Sequence, residues 1–444
     1  MDIYEPAEDS YLLQKFVRKY ASGRVLDLGT GSGIQALTAA GNSQVKEVIA
    51  ADTNETAVAQ LQEKIKKNRL KKIKTKTKAE TKIKTKTKIK AKTRKIKIIK
   101  VIKSNLFEKI TGKFDTIIFN PPYLPQDSGI EDAALYGGKK GWELSEQFFA
   151  RVSKYLSSEG IILFLFSSLT DKKKIEEIIF RNLLRFRQLG AEKIAFEELF
   201  VYEVCKTSLL IALEGKGITG ISYFTHGKRG DIFTGRKKKI KVAIKVKRKE
   251  SKAVERIQNE AGWLKVLNKK GIGPRLLFYG RDFLVYKFVD GDFILDWTKD
   301  DVRVKESEKN KSTKKEKKAK EDKKDKKNKK ENKTKEIKKM LVNVLKQCFT
   351  LDLLKVNKEE MHHPYKHVLI NKKNIPVLID FERCHKTSRP QNVTQFVEFI
   401  CRREQELKKK NILIAVSRLR AAAKKYKNKI NEKNFKQIEQ EIGT

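Results

Sequence analysis

The sequence predicts an α/β fold: an open, Rossmann-like sheet of mostly parallel strands, followed by a separate α+β domain. Three observations predict it. A short apolar run enters a glycine-rich turn between Arg24 and Gly33, a second apolar run ends on the acid Asp52, and the pattern of elements changes after Gly215. At 444 residues the chain is too long for one ordinary domain. The predicted division is 1–215 and 216–444.

The first element is the strand Arg24–Leu28, which enters Gly29-Thr30-Gly31-Ser32-Gly33 and then a helical stretch from Ile34 to Ala40. Glycines in such a turn let the backbone approach a ligand closely, and the helix N-terminus faces it. A strand from Glu47 to Ala51 then delivers Asp52, whose carboxylate can accept both hydroxyls of a ribose. A glycine loop alone also suits dinucleotides. The acid ahead of the loop, Asp27, can bind an ammonium group, which suits the methionine end of S-adenosylmethionine better than a pyrophosphate. The expected cofactor-binding residues are therefore Asp27, Gly29, Gly31, Gly33 and Asp52.

The sharper signal is Phe114-Asp115-Thr116-Ile117-Ile118-Phe119-Asn120-Pro121-Pro122-Tyr123. A buried strand here brings an Asn, two prolines and an aromatic ring to the carboxyl end of a parallel sheet, where ligands bind. A planar NH₂ conjugated to a carbonyl or ring is a poor nucleophile. A site that methylates it needs two acceptors, the Asn120 side-chain oxygen and the Pro121 carbonyl, which the prolines hold rigid. Tyr123 lies against the flat face of the substrate, and catalysis is by positioning and electrostatics. The motif alone does not separate a nucleobase from a protein amide.

Further stretches bear on that choice. Tyr4-Glu5-Pro6-Ala7-Glu8-Asp9-Ser10-Tyr11-Leu12-Leu13, Ser104-Asn105-Leu106-Phe107, Asn120 to Pro125 and Gly137-Gly138-x-x-Gly141 together resemble the HemK/PrmC-type protein glutamine methyltransferases, in their archaeal and eukaryotic branch. The resemblance runs from about Tyr4 to Gly215 and includes late strands around Glu197–Leu199 and Ser208–Leu213. It implies a class I methyltransferase sheet, S-adenosylmethionine as cofactor, and the glutamine of the Gly-Gly-Gln motif of a class 1 translation termination factor as substrate. It also implies a small zinc-binding activator subunit. The family's adenine-binding Asp before Leu-Phe is Asn105 here, followed by Leu106, and an amide can still accept from the adenine amino group.

After Gly215, Gly227-Lys228-Arg229-Gly230 forms a turn between strands, and Val242–Lys245 is a strand carrying one inward Lys. The helix Ser251–Asn268 offers Glu255 and Glu260, Phe283–Phe288 reads as a strand, and Leu378–Glu382 ends in Asp-Phe. A Lys held by a Glu, with an Asp to carry Mg²⁺, is the minimum equipment for ATP binding in a kinase fold. The region from Tyr223 to about Cys401 resembles predicted archaeal serine/threonine kinases related to the RIO and lipopolysaccharide kinase groups. This implies ATP with Mg²⁺, nucleotide contacts at Gly227, Gly230, Lys245 and Glu260, and Asp380 as metal ligand and catalytic residue. The catalytic loop departs from the wider pattern: His362 stands at the catalytic Asp position and His367 at the metal-binding Asn position. Glu359 or Glu360 is then the candidate base, with Glu360 preferred, and Lys366 a phosphate neutraliser; otherwise the domain is a pseudokinase scaffold. Four histidines (His362, His363, His367, His385) and Cys384 gather here, but Pro364 interrupts helical His spacing and a nucleotide cleft needs polar residues anyway.

Lys plus Arg number 101 against 55 Asp plus Glu, a formal charge of +46. About half of that excess lies in two low-complexity inserts, 71–97 and 303–339. The first alternates Lys with Ile and Thr, as in a two-faced strand. The second has no apolar stripe and reads as a solvated linker or frayed helix. Both are insertions in tolerant loops or arms that contact RNA or the ribosome; neither carries base-stacking aromatics. Ile412, Leu413, Val416, Leu419 and Ala422 in the tail repeat at helical spacing. The four scattered cysteines exclude a disulfide scaffold, and the longest apolar run, Ile161–Phe166, is too short for a bilayer. The expectation is a cytoplasmic protein without membrane contact. The alternatives are a nucleic-acid (adenine N6 or RNA) amino methyltransferase and a ribosome-associated binding protein.

Overall fold

The computed structural model describes residues 3–67, 98–126, 136–226, 230–247, 254–298 and 318–443. It separates into two compact units, Met1–Ser222 and Tyr223–Thr444.

The first unit opens with helix α1 (Glu8–Tyr20). Its buried face carries Leu12, Leu13 and Val17, spaced as a helix requires, together with the acid Asp9. Strand β1 (Gly23–Leu28), helix α2 (Ile34–Gly41), strand β2 (Val45–Asp52) and a helix, α3, over 55–67 follow. Strands β3 (Ile98–Lys103), β4 (Phe114–Phe119), β5 (Leu156–Ser167), β6 (Leu184–Lys193) and β7 (Glu198–Lys206) complete a sheet of order β3-β2-β1-β4-β5-β7-β6. Pairing is parallel from β3 through β5, whereas β7 runs antiparallel to both its neighbours.

Chain order reverses at β1, which lies between β2 and β4. That reversal opens a crevice at the carboxyl ends of β1 and β4. In the β1–β4 register Leu28 faces Phe119, so the glycine loop and Asn120 leave the sheet side by side. Behind them, Phe119 stacks on Phe148 at 4.3 Å, and Phe148 packs edge-on to Phe149 at 5.0 Å. Phe148, on helix α4 (Glu143–Val152), is fully buried. Burying one such ring stabilises by about 1.5–3 kcal/mol, so the floor of the crevice is rigid. Helix α5 (Lys172–Arg181) covers the far strands. Ser208–Leu213, expected as a strand, lies in helix α6 (Ser208–Gly215): the Thr207 side chain accepts from the Leu210 N–H and caps it.

A five-stranded sheet of order β11-β12-β10-β9-β8 follows, from β8 (Ile218–His226), which spans the boundary, and from β9 (Gly230–Lys237), β10 (Ile240–Lys247), β11 (Leu276–Tyr279) and β12 (Phe283–Lys287) of the second unit; β9 through β11 pair antiparallel. Helix α7 (Val254–Leu267) lies between β10 and β11 in sequence. Strands β13 (Gly291–Phe293), β15 (Val368–Asn371) and β16 (Pro376–Leu378) pair in a small sheet, and β14 (Val356–Asn357) pairs with β17 (His385–Lys386). The helices are α8 (Ile294–Thr298), α9 (Lys318–Leu353), α10 (Asn392–Arg402), α11 (Glu404–Lys408), α12 (Val416–Asn428) and α13 (Glu432–Gly443).

Two expectations need correction. The end of the 303–339 tract belongs to α9, and Ile337 is fully buried among Met340, Val344 and Leu345, because the helix runs on into the core. In the tail, Leu413 is 73% exposed and precedes α12, while Ile412, Leu419 and Ala422 pack inward. The 71–97 tract and residues 303–317 lie outside the described residues. Among the described residues, no helix is long and apolar enough to cross a membrane.

Candidate active site

A cavity of about 370 Å³ sits at the β1–β4 crevice and is lined by Asp27, Gly29, Gly31, Asp52, Asn105, Leu106, Asn120, Pro121 and Tyr123. Two motifs separated by about 90 residues thus share one wall-to-wall space, as their places on one sheet require.

Gly29 (φ +64°) and Gly31 (φ +49°) take left-handed backbone conformations that favour glycine. Asp52 steadies this loop: its Oδ2 accepts from the Gly31 N–H at 2.8 Å, and its Oδ1 from the Asn54 N–H at 2.9 Å. Asp27 is buried, and its Oδ2 accepts from Thr30 Oγ1 at 2.6 Å and from the Ala36 N–H at 3.0 Å. Burial pushes its carboxyl up to about 7, against the pull of the Thr30 and Ala36 hydrogen bonds. Gly33 does not line the cavity. A Cβ there would lie 2.3 Å from Leu61 Cδ1, so its part is to seat α2 against the helix over 55–67. The Asn105 NH₂ donates to Glu108 Oε1 at 3.2 Å.

Asn120 leaves β4 with its Nδ2 donating to Asp9 Oδ2 at 2.7 Å. Its Oδ1 is buried and has no hydrogen-bond partner among the described residues. A buried acceptor left this way costs about 1–3 kcal/mol, as expected of a group reserved for a ligand. The Gly137–Gly141 turn braces the cradle from outside. A Cβ on Gly137 would come within 2.5 Å of the Pro122 carbonyl oxygen, and one on Gly141 within 2.4 Å of the Tyr123 carbonyl oxygen. Thr170 Oγ1 donates to the Tyr123 carbonyl at 2.6 Å. Burial, followed by the nearby Asp9 charge, holds the Tyr123 phenol above its ordinary pKa, so the ring stays neutral. In the sequence Asp9 and Tyr4 stand only as members of the Tyr4–Leu13 motif. The Tyr4 hydroxyl donates to Asp9 Oδ1 at 3.0 Å, so the N-terminal segment reaches the cradle.

These features fit S-adenosylmethionine: Asp27 would meet the ammonium, Asp52 the ribose and Asn105 the adenine, with the unpartnered Asn120 Oδ1 in the same cavity. The cofactor supplies an electrophilic methyl group when bound.

The second unit gathers its own cluster. Lys245, on β10, donates to Glu260 Oε2 at 2.6 Å, to Asp380 Oδ1 at 3.0 Å and to Glu382 Oε2 at 3.4 Å. Burial works against its charge, but Glu260, Asp380 and Glu382 outweigh it, and Lys245 keeps its proton. Burial raises Asp380 as well, yet Lys245 and then Lys358 overcome it and bring the carboxyl down to about 2. Asp380 holds a left-handed φ of +62° just after β16. Lys358, which sequence reasoning missed, is fully buried; it donates to Glu360 Oε2 at 3.2 Å and to the Asp380 carbonyl. Glu360, the expected base, thus stands in the cluster. His367 Nδ1 lies 4.0 Å from Asp380 Oδ2, whereas His362 is exposed. Among the described residues, Glu260, Asp380 and Glu382 form the group able to share a cation, without any of the histidines. Gly230 begins β9, where a Cβ would meet the Val246 carbonyl oxygen at 2.8 Å; Gly227 lies outside the described residues.

Sheet order, cavity and cradle define the first unit as a class I, S-adenosylmethionine-dependent methyltransferase. Comparison with known proteins narrows this. The ribosomal protein L11 methyltransferase (PrmA) family matches residues 11–112. The "Putative protein N5-glutamine methyltransferase" of Methanocaldococcus jannaschii is 33% identical over 209 residues, which span 45% of this chain and 90% of that protein. "Methyltransferase HEMK2" of Mus musculus is 28% identical over 193 residues, 41% of this chain and 78% of that one. Among solved structures, the E. cuniculi Mtq2–Trm112 complex is similar with a TM-score of 0.34 and 21% identity, over 47% of this chain and 100% of that one. Through its first half, the chain belongs to the protein N5-glutamine methyltransferase family.

Proposed function

We propose that the first unit methylates the side-chain amide nitrogen of a glutamine, in the Gly-Gly-Gln motif of a class 1 translation termination factor. The observation that carries this reading is the buried, unpartnered Asn120 Oδ1 in a cavity shared with the glycine loop. Asn120 Oδ1 and the Pro121 carbonyl accept the two amide N–H bonds, and Tyr123 flanks the amide plane. The nitrogen lone pair is then held along the line of transfer: the N–CH₃ bond forms as the sulfonium S–CH₃ bond breaks, S-adenosylhomocysteine leaves and one amide proton departs to solvent, with positioning supplying most of the rate. The family names of the relatives support a glutamine substrate. A small zinc-binding activator, implied by the resemblance, is the proposed partner. The test is mass spectrometry of a termination factor incubated with the protein and S-adenosylmethionine, with and without such an activator. One added methyl on the glutamine is expected, and Asn120→Ala abolishes it. Methyl transfer to RNA or DNA instead would establish the nucleic-acid reading that the charge of +46 favours; in the same assay, deleting 71–97 tests RNA contact.

For the second unit the reading is an ATP-binding, kinase-like domain. It is supported by Lys245, held by Glu260 at 2.6 Å beside Asp380. Lys245 would pair with phosphate and Asp380 would hold Mg²⁺, with Glu360 as base. Labelled ATP and Mg²⁺, with Asp380→Ala as control, test transfer; equal label in both ends the reading.

A further inference from the structure

We propose that Asp9 is a positioning residue that sets which end of the Asn120 side-chain amide meets the substrate, and thereby makes the site select a carboxamide over a carboxylate. The inference rests on the glutamine reading above and adds to it the origin of the selectivity. An asparagine side chain is nearly symmetrical in shape, with an acceptor and a donor separated by a half-turn. Asn120 alone could present either.

Asp9 removes the choice. It lies in the first turn of α1, only 4% exposed, on the face that carries Leu12, Leu13 and Val17. All its partners are donors. Its Oδ1 accepts from the Tyr4 hydroxyl at 3.0 Å and from the Ser10 backbone N–H, and its Oδ2 accepts from Asn120 Nδ2 at 2.7 Å. Reversing the Asn120 amide would set its oxygen against Asp9 Oδ2, acceptor on acceptor, in a buried place where neither is hydrated. Asn120 Oδ1 is therefore fixed on the side away from Asp9, buried and without a partner among the described residues. A ligand that brings N–H donors satisfies it. A ligand that brings a carboxylate leaves it unpaired and adds a second acceptor.

Asp9→Asn tests this with almost no change of shape. The Ser10 N–H belongs to the backbone and keeps an oxygen on its side, so the new NH₂ faces Asn120. Asn120 then turns its own oxygen toward residue 9 and its NH₂ toward the cavity. The measurement is the affinity of two peptides, ending in Gly-Gly-Gln-Ser and Gly-Gly-Glu-Ser contexts, for the full chain saturated with S-adenosylhomocysteine. The wild type is expected to prefer the glutamine peptide, and Asp9→Asn to lose about tenfold or more of that preference. Asp9→Ala, which frees the amide to rotate, falls between them. A preference unchanged in both variants overturns the proposal. The ¹⁵N signal of the Asn120 side-chain amide, assigned through Asn120→Ala and recorded without peptide, separates the two readings. If it moves in Asp9→Asn while the wild type shows no preference for glutamine, the substrate reading fails and the positioning role stands. If it does not move, the positioning role fails whatever the peptides do.

Discussion

Asp27 and Thr30 are joined by a 2.6 Å hydrogen bond in buried space, so the carboxylate one residue before the end of β1 is anchored to the glycine loop that follows it. Burial raises its carboxyl to about 7, well above the unfolded value of 3.8. The folded state therefore binds the extra proton between those limits, and ligand-free stability falls as pH rises from about 4 to about 7. With Asp27 proposed as the partner of the cofactor's ammonium group, cofactor binding has the opposite sign, because that group requires the carboxylate. Affinity for S-adenosylmethionine should rise with pH up to about 7 and then level off. Calorimetry across that range checks it, and Asp27→Asn should bind weakly at every pH.

Gly137 has no room for a side chain: a Cβ would stand 2.3 Å from the Gly141 carbonyl oxygen and 2.5 Å from that of Pro122. Both are backbone atoms and cannot swing aside. Gly137→Ala should displace the prolines and lower kcat by about tenfold or more while leaving cofactor affinity nearly unchanged, since a small misplacement is costly in a positioning site. Steady-state kinetics alongside cofactor titration checks the split.

Lys358 is a buried ammonium that draws Asp380 down and sits under Glu360. On the kinase-like reading proposed above, Lys358→Met removes that charge, so the Asp380 carboxyl should rise from about 2 and binding of ATP with Mg²⁺ should weaken. Nucleotide titration by fluorescence checks it, with melting temperature as the control for folding.

Asp352 caps helix α10 from outside the helix. It accepts from the Asn392 N–H at 3.0 Å, the Asn392 side chain at 2.7 Å, the Val393 N–H at 3.2 Å and the Tyr426 hydroxyl at 2.9 Å. Tyr426→Phe deletes one of these donors in a buried place and should cost about 1–3 kcal/mol of second-unit stability in urea unfolding.

Much of the first site was legible because its signals are local. A strand entering glycines, a strand ending on Asp52, and Asn-Pro-Pro-Tyr after an apolar run each encode a strand end, and parallel strands gather their ends at one edge. Ser208–Leu213 misled because a short apolar run serves a strand or a helix equally, and a helix capped by Thr207 is what forms. The buried end of α9 was hidden because its lysine-rich start dominates the composition. A sequence clue to Asp9 did exist: an acid on the same helical face as Leu12, Leu13 and Val17 sits where burial demands a partner.

By itself the sequence determined which residues end strands and which groups carry chemistry, since backbone preference and side-chain type act over a few neighbouring positions. Only the tertiary structure decided that Asp9 meets Asn120 across 111 residues and that Lys358 reaches Asp380. Those pairings arise when sheet order and helix packing bring distant buried polar groups together, where each must find a partner, and no local periodicity records which one it finds.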